Sequence, residues 1–121
     1  MSDNDTTVDE LRGVVRRFVQ ERQWEPFHNP KNLAMSLSIE AAELMEHFQW
    51  LSLDQAQQRA ADPQHREAIA DEVADCLAYI LAIAETMQLD LSSELKRKMT
   101  KNAIKYPIEA SRGKADPPQQ D

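Results

Sequence analysis

The sequence predicts an all-α domain, and three observations lead to this fold class. There are two glycines in 121 residues, fewer than a turn-rich β fold uses. Runs of aromatic or β-branched residues, which strands favour, are few. A helix-capping signal precedes each long apolar segment. We therefore expect a four-helix-bundle-like domain over residues 1–107, followed by a flexible polar tail over residues 108–121.

The first predicted helix begins at a capping box. Thr7 is followed three residues later by Glu10, so each side chain can satisfy a backbone N–H of the first turn. The helix continues to about residue 24. Its apolar residues share one face at helical spacing, and they are Leu11, Val14, Val15, Phe18 and Val19.

Prolines mark where the next helices begin. Two prolines in residues 25–30 predict a loop, and Asn29 followed by Pro30 is typical of a cap and first helical residue. This predicts a second helix over residues 30–50. Ser52 and Gln55 form another capping-box pattern, which predicts a short helical piece. A third long helix is expected over residues 63–87 and a fourth from about 92 to 106, before Pro107.

The helix predicted over residues 63–87 has almost no polar face after Asp75. A helix that is apolar all round must be surrounded by protein, and the other helices of so short a chain can hardly enclose it. We therefore expect a homo-oligomer.

Two acidic pairs lie in these apolar helices. Glu40 and Glu43 are three residues apart, as are Glu72 and Asp75, so each pair shares one helix face. Moving a carboxylate out of water without a partner costs several kcal/mol, and neighbouring carboxylates repel one another. Because neither helix core carries Lys or Arg, a divalent cation is expected among these four residues.

The all-oxygen ligand set favours Mg²⁺, with Mn²⁺ as the alternative. A di-iron site would need Glu-x-x-His pairs, and the third helix has no histidine after His65. Glu46 continues the series of Glu40 and Glu43 but stays outside the predicted set. The alternative is that such pairs form solvated helix faces, which is the usual role of an isolated pair.

Further candidates lie near the helix ends. Trp24, His28 and Trp50 could pack against a nucleobase, although Trp50 could equally make a core or oligomer contact. Lys98, Asn102 and Tyr106 share one face of the last helix and could hold phosphates. The alternative for that basic segment is a solvated helix end.

Composition excludes several classes of protein. A formal net charge of −7 speaks against nucleic-acid binding. The longest apolar run is too short to cross a bilayer, and the N-terminal residues do not resemble a secretory signal. A single cysteine, Cys76, cannot form an internal disulfide. These features predict a cytoplasmic protein without a membrane partner.

Four sequence blocks resemble the MazG-like all-α nucleotide pyrophosphohydrolases. The spacing of Glu-x-x-Glu and Glu-x-x-Asp, with 28 intervening residues, resembles the signature of that superfamily. Three further blocks, together with residues 71–75, are similar to the dCTP pyrophosphatase branch and its bacterial relatives: residues 27–33 (FHNPKNL), 43–50 (ELMEHFQW) and 98–107 (KMTKNAIKYP). The resemblance extends from about residue 8 to residue 107.

The resemblance implies a MazG-type fold assembled as a homotetramer, a dimer of dimers. It also implies Mg²⁺ on Glu40, Glu43, Glu72 and Asp75 and base packing near Trp24, His28 and Trp50. Phosphate contacts are implied at Tyr79, Lys98, Asn102 and Tyr106. The expected activity is hydrolysis of nucleoside triphosphates, with a dCTP-like substrate, to the monophosphate and pyrophosphate. The same four carboxylates would be catalytic. The alternatives are a non-catalytic helical interaction protein and a nucleotide sensor without turnover.

Overall fold

The computed structural model describes residues 1–115, and all regular structure in that range is helical. This confirms the predicted all-α class. The helices are α1 (Val8–Glu21), α2 (Pro30–Glu46), α3 (Leu53–Ala61), α4 (Pro63–Met87), α5 (Leu91–Lys105) and α6 (Ile108–Ser111), with a 3₁₀ turn at Glu25–Phe27.

Local chemistry at the helix starts is as the sequence predicts. The Thr7 hydroxyl accepts a hydrogen bond from the Glu10 N–H (3.1 Å), and the Glu10 carboxylate accepts one from the Thr7 N–H (2.7 Å). Ser52 and Gln55 make the same reciprocal pair at α3. The Asn29 side chain caps α2. Each cap satisfies amide groups that the first turn leaves without a helical partner, which fixes where these helices begin.

Two boundaries differ from the prediction. Helix α2 ends at Glu46, and residues 47–50 form turns in place of the predicted last helical turn. Residues 108–111 form the one-turn helix α6 where a loose tail is predicted. The last part of that predicted tail, residues 116–121, lies outside the described residues.

The contacts divide the chain into two units, residues 1–88 and the residues from Leu89 onward. The predicted boundary follows residue 107. In the first unit, α4 packs against α2, α1 and α3. A small apolar core lies at these contacts and contains Val19, Leu33, Leu81, Ala82 and Ala84. The second unit contains α5 and α6.

Apolar side chains remain exposed on the helices of the first unit. On α4 they include Val73 and Leu77, and on α2 they include Met35, Ile39 and Met45. The core of a single chain therefore uses only part of the apolar surface of α2 and α4. None of the helices within residues 1–115 combines the length and apolarity needed to cross a bilayer.

Candidate active site

Three of the four predicted carboxylates meet where α2 packs against α4. Glu40, Glu43 and Glu72 each offer one oxygen, and these three oxygens lie within 4.8 Å of one another. The i, i+3 spacing directs Glu40 and Glu43 to one face of α2, and the contact with α4 brings Glu72 against that face. We call these three residues the carboxylate cluster.

The cluster contains oxygens that lack a donor. The Oε2 atoms of Glu40 and Glu72 are buried and accept no hydrogen bond. No Lys, Arg or His nitrogen among residues 1–115 lies within 4.0 Å of a cluster carboxylate. Buried carboxylate oxygens normally have donors, so the site is incomplete without a cation or a proton.

The pKa of Glu40 reflects this gathering of carboxylates without a positively charged partner nearby. It rises from an ordinary value of 4.5 to about 7, first because a protonated Glu40 can share a hydrogen bond with Glu72, and then because burial disfavours the charge. The hydrogen bond with Glu43 and the charges of Glu43 and Asp75 raise it further. Hard oxygen donors that repel one another in this way fit a divalent cation such as Mg²⁺.

Asp75 lies beside the cluster rather than within it. Its oxygens are not among the group within 4.8 Å, although its charge reaches Glu40. Asp75 and Glu40 instead both line a neighbouring cavity. A role for Asp75 as a metal ligand therefore stays a prediction.

This neighbouring cavity has a volume of about 430 Å³ and is largely apolar; we call it the apolar cavity. Three more predicted residues line it: Trp24, His28 and Tyr79. The Trp24 ring packs edge-on against Phe18, with ring centroids 5.8 Å apart and an interplanar angle of 74°. A cavity with an aromatic wall beside a candidate metal site suits a ligand in which a planar ring is joined to an anionic group.

Helix α1 supplies a wall of the apolar cavity that the sequence analysis did not assign to a site. Val14, Val15, Phe18 and Val19 line it, and only Val19 is buried, while Val14 and Phe18 remain 49 % and 48 % exposed. These residues belong to the apolar stripe predicted for the first helix. A stripe of helical period cannot distinguish a core from a cavity wall, so the sequence contains no signal of this second use.

The remaining predicted residues lie elsewhere. Trp50 is 86 % exposed and does not line the apolar cavity. Lys98, Asn102 and Tyr106 belong to the second unit, where the Tyr106 N–H donates to the Asn102 carbonyl (2.7 Å) and the Lys105 ammonium lies 5.4 Å from the Tyr106 ring centroid. Contacts of these four residues with a ligand stay predictions.

Comparison with known proteins shows which family this chain is similar to. A model of the MazG-like family matches residues 35–116. The chain is 37 % identical over 112 residues to dCTP pyrophosphatase 1 of Bos taurus and 35 % identical over 106 residues to that of Homo sapiens, matches that cover 93 % and 88 % of this chain. It spans 66 % and 62 % of the length of these two relatives, less than two thirds.

The fold is similar to that of a solved pyrophosphatase from Archaeoglobus fulgidus. The TM-score is 0.79 at 37 % sequence identity, and the match covers 88 % of this chain and 98 % of that one. Together with the family match, this similarity confirms the predicted MazG-type all-α fold.

Proposed function

We propose, from the premise that this chain belongs to the MazG-like family, that it hydrolyses nucleoside triphosphates between the α and β phosphorus. The products would be a nucleoside monophosphate and pyrophosphate. The observation that carries this proposal is the carboxylate cluster, with its donor-less oxygens, at the edge of an aromatic-walled cavity. The relatives named dCTP pyrophosphatase 1 support the reaction class and suggest dCTP or a related deoxynucleotide as a substrate.

The proposed metal ligands are Glu40, Glu43 and Glu72, joined by Asp75. Mg²⁺ is the expected ion and Mn²⁺ the alternative, because all donors are carboxylate oxygens. Once bound, such a cation supplies positive charge that neutralises the phosphates and favours attack by water. Glu43 is our candidate for the carboxylate that accepts the proton of that water.

The apolar cavity would hold the nucleoside. Trp24 offers a ring face for stacking with the base, which is worth about 1–3 kcal/mol per base in other proteins. His28 can contact the base edge, and the Tyr79 hydroxyl can donate to the phosphate nearest the sugar. Because the other lining side chains are mostly apolar, stacking rather than hydrogen bonding would supply most of the affinity for the base.

Further parts of the proposal concern residues outside this cavity. Lys98, Asn102 and Tyr106 would contact phosphates, and Trp50 would pack against a base or at a subunit contact. The exposed apolar faces of α2 and α4 support a homo-oligomer, for which we propose a tetramer. The free Cys76 thiol supports a cytoplasmic location.

A substrate panel tests the proposed reaction. The purified chain is incubated with each deoxynucleoside and ribonucleoside triphosphate and Mg²⁺, and pyrophosphate, orthophosphate and monophosphate are quantified. We expect equal amounts of monophosphate and pyrophosphate, with Trp24→Ala raising KM about tenfold. Release of orthophosphate with a diphosphate would contradict the proposal. Tight nucleotide binding without products would favour the sensor instead.

A further inference from the structure

A second cavity borders the carboxylate cluster on the side away from the apolar cavity. It measures about 350 Å³ and is lined by Glu43, Glu46, His47, Arg59 and Glu72; we call it the polar cavity. Glu40 and Asp75 face the apolar cavity, whereas Glu43 and Glu72 face the polar one. From the apolar to the polar cavity, the lining residue numbers rise along α2 and fall along α4, because these two helices are antiparallel. The carboxylate cluster therefore lies between the two cavities along the helix pair.

Arg59 is the guanidinium in this polar cavity. It donates one hydrogen bond, to the His47 carbonyl at 3.3 Å, and is half-buried. Among residues 1–115, no carboxylate oxygen lies within 4.0 Å of its nitrogens. A guanidinium carries five N–H donors, so most of the donors of Arg59 are available to a ligand in the polar cavity.

The positions of the two cavities suit the two halves of a nucleoside triphosphate, provided that a cation on the cluster offsets the charges of Glu43, Glu46 and Glu72. A bond broken at the cluster must have the nucleoside on one side and the two terminal phosphates on the other. The apolar cavity suits the nucleoside. The terminal phosphates carry most of the charge, and a guanidinium can bind phosphate oxygens in a bidentate manner.

We propose that Arg59 binds the β and γ phosphates in the polar cavity and holds pyrophosphate as it leaves. This inference rests on the proposed function and names a residue of the first unit as a phosphate contact. The His47 carbonyl would fix the position of the guanidinium. The competing role for Arg59 is a counter-charge without ligand contact, to Asp62, with which it interacts electrostatically, and to the three glutamates that line the same cavity.

Binding of inorganic pyrophosphate separates the two roles. Its dissociation constant is measured by calorimetry at saturating Mg²⁺ for the wild type, Arg59→Gln and Arg59→Lys. Arg66→Gln is a matched control, because Arg66 also donates to one backbone carbonyl, that of Ala60 at 3.3 Å, and lines neither cavity. We expect Arg59→Gln to weaken pyrophosphate binding by about tenfold or more, Arg59→Lys to weaken it less, and Arg66→Gln to leave it unchanged.

Binding of a nucleoside monophosphate is the second readout, and it should be unchanged in all three variants. The inference is wrong if Arg59→Gln binds pyrophosphate as the wild type does, which is the result of the counter-charge role. It is also wrong if pyrophosphate and monophosphate affinities fall equally. If a thermal unfolding control shows that Arg59→Gln does not fold, the pyrophosphate affinity of Arg59→Lys decides between the two roles. Lysine keeps the charge and loses the bidentate geometry, so an unchanged affinity would contradict the inference.

The failure of the proposed function is distinguishable in the same experiment. Pyrophosphate binding that depends on Arg59, in a chain that hydrolyses no nucleoside triphosphate, would contradict the reaction and leave the phosphate site standing. Hydrolysis at wild-type KM by Arg59→Gln would leave the reaction standing and contradict the site.

Discussion

Two of the three glutamates on helix α4 have opposite surroundings. Glu85 accepts hydrogen bonds from Arg16 (2.7 Å) and Arg12 (3.2 Å), and the bond from Arg16 is the main reason why its pKa is lowered. Glu72, more than three turns earlier on the same helix, meets Glu40 and Glu43 instead, and the pKa of Glu40 is raised to about 7. Glu85 thus has positively charged partners within the chain, whereas Glu72 has none among residues 1–115.

This difference indicates that the two glutamates have different roles. An ion pair between α1 and α4 needs nothing from outside the chain. Carboxylates gathered without a cation destabilise the folded state unless a ligand compensates. Proteins retain such arrangements at functional sites, where perturbed pKa values are concentrated. We accordingly propose a structural role for Glu85 and a functional role for Glu72.

Turnover should show the largest effect of this difference. Glu72→Gln removes one charge and one metal-binding oxygen, so we expect the rate of pyrophosphate release to fall at least about 100-fold, as when a group stabilising charge in the transition state is removed. Glu85→Gln is the matched control on the same helix and should keep most of its activity per folded protein. Equal losses of turnover in both variants, or near-native turnover by Glu72→Gln, would contradict the different roles of Glu72 and Glu85.

Mg²⁺ should stabilise the two variants differently. At a free Mg²⁺ concentration 100 times the dissociation constant, binding to the native state adds about 2.7 kcal/mol to the free energy of unfolding, which corresponds to roughly 10 °C in Tm for a chain of this size. We expect this rise, measured by thermal unfolding at pH 8, in the wild type and in Glu85→Gln. Glu72→Gln should gain much less, and a full gain in that variant would contradict the ligand assignment.

The pH dependence of stability should have opposite signs at the two positions. The folded-state pKa of Glu40 lies above its ordinary value of 4.5, so the folded state binds more protons and loses stability as pH rises from about 4.5 to 7. Glu85 has a lowered pKa, so its stabilisation is present above 4.5 and is lost as pH falls through its folded-state value.

Urea unfolding of the metal-free protein from pH 2 to 8 measures both effects. Relative to the wild type, Glu40→Gln should gain stability as pH rises, whereas Glu85→Gln should show a deficit at neutral pH that disappears in acid. If Glu40→Gln follows the wild type at every pH, Glu40 has an ordinary pKa and the repulsion within the cluster is absent.

The helix starts and the shared face of Glu40 and Glu43 can be predicted from the sequence, because local chemistry determines them. Capping residues such as Thr7 and Ser52 set helix starts, and i, i+3 spacing places Glu40 and Glu43 on one face. Features that depend on packing are not visible. The Arg12 and Arg16 contacts with Glu85 join residues about seventy positions apart.

The position of Asp75 outside the carboxylate cluster depends in the same way on how α2 sits on α4, and the use of the α1 stripe as a cavity wall depends on what faces it. Trp50 is exposed and lies in the turns that follow the end of α2 at Glu46. The polar cavity around Arg59 needs α3 to bring that side chain to the end of α2.

Proton release on Mg²⁺ binding tests the central claim most directly. With a pKa of about 7, Glu40 is about half protonated at pH 7, and a cation that takes its oxygens must displace that proton. Calorimetric titration with Mg²⁺ in buffers of different ionisation enthalpy should report about half a proton released per chain at pH 7, in the wild type and in Glu85→Gln alike. Mg²⁺ binding without proton release, or binding of unchanged affinity by Glu72→Gln, would contradict the claim that the carboxylate cluster is held together for a divalent cation.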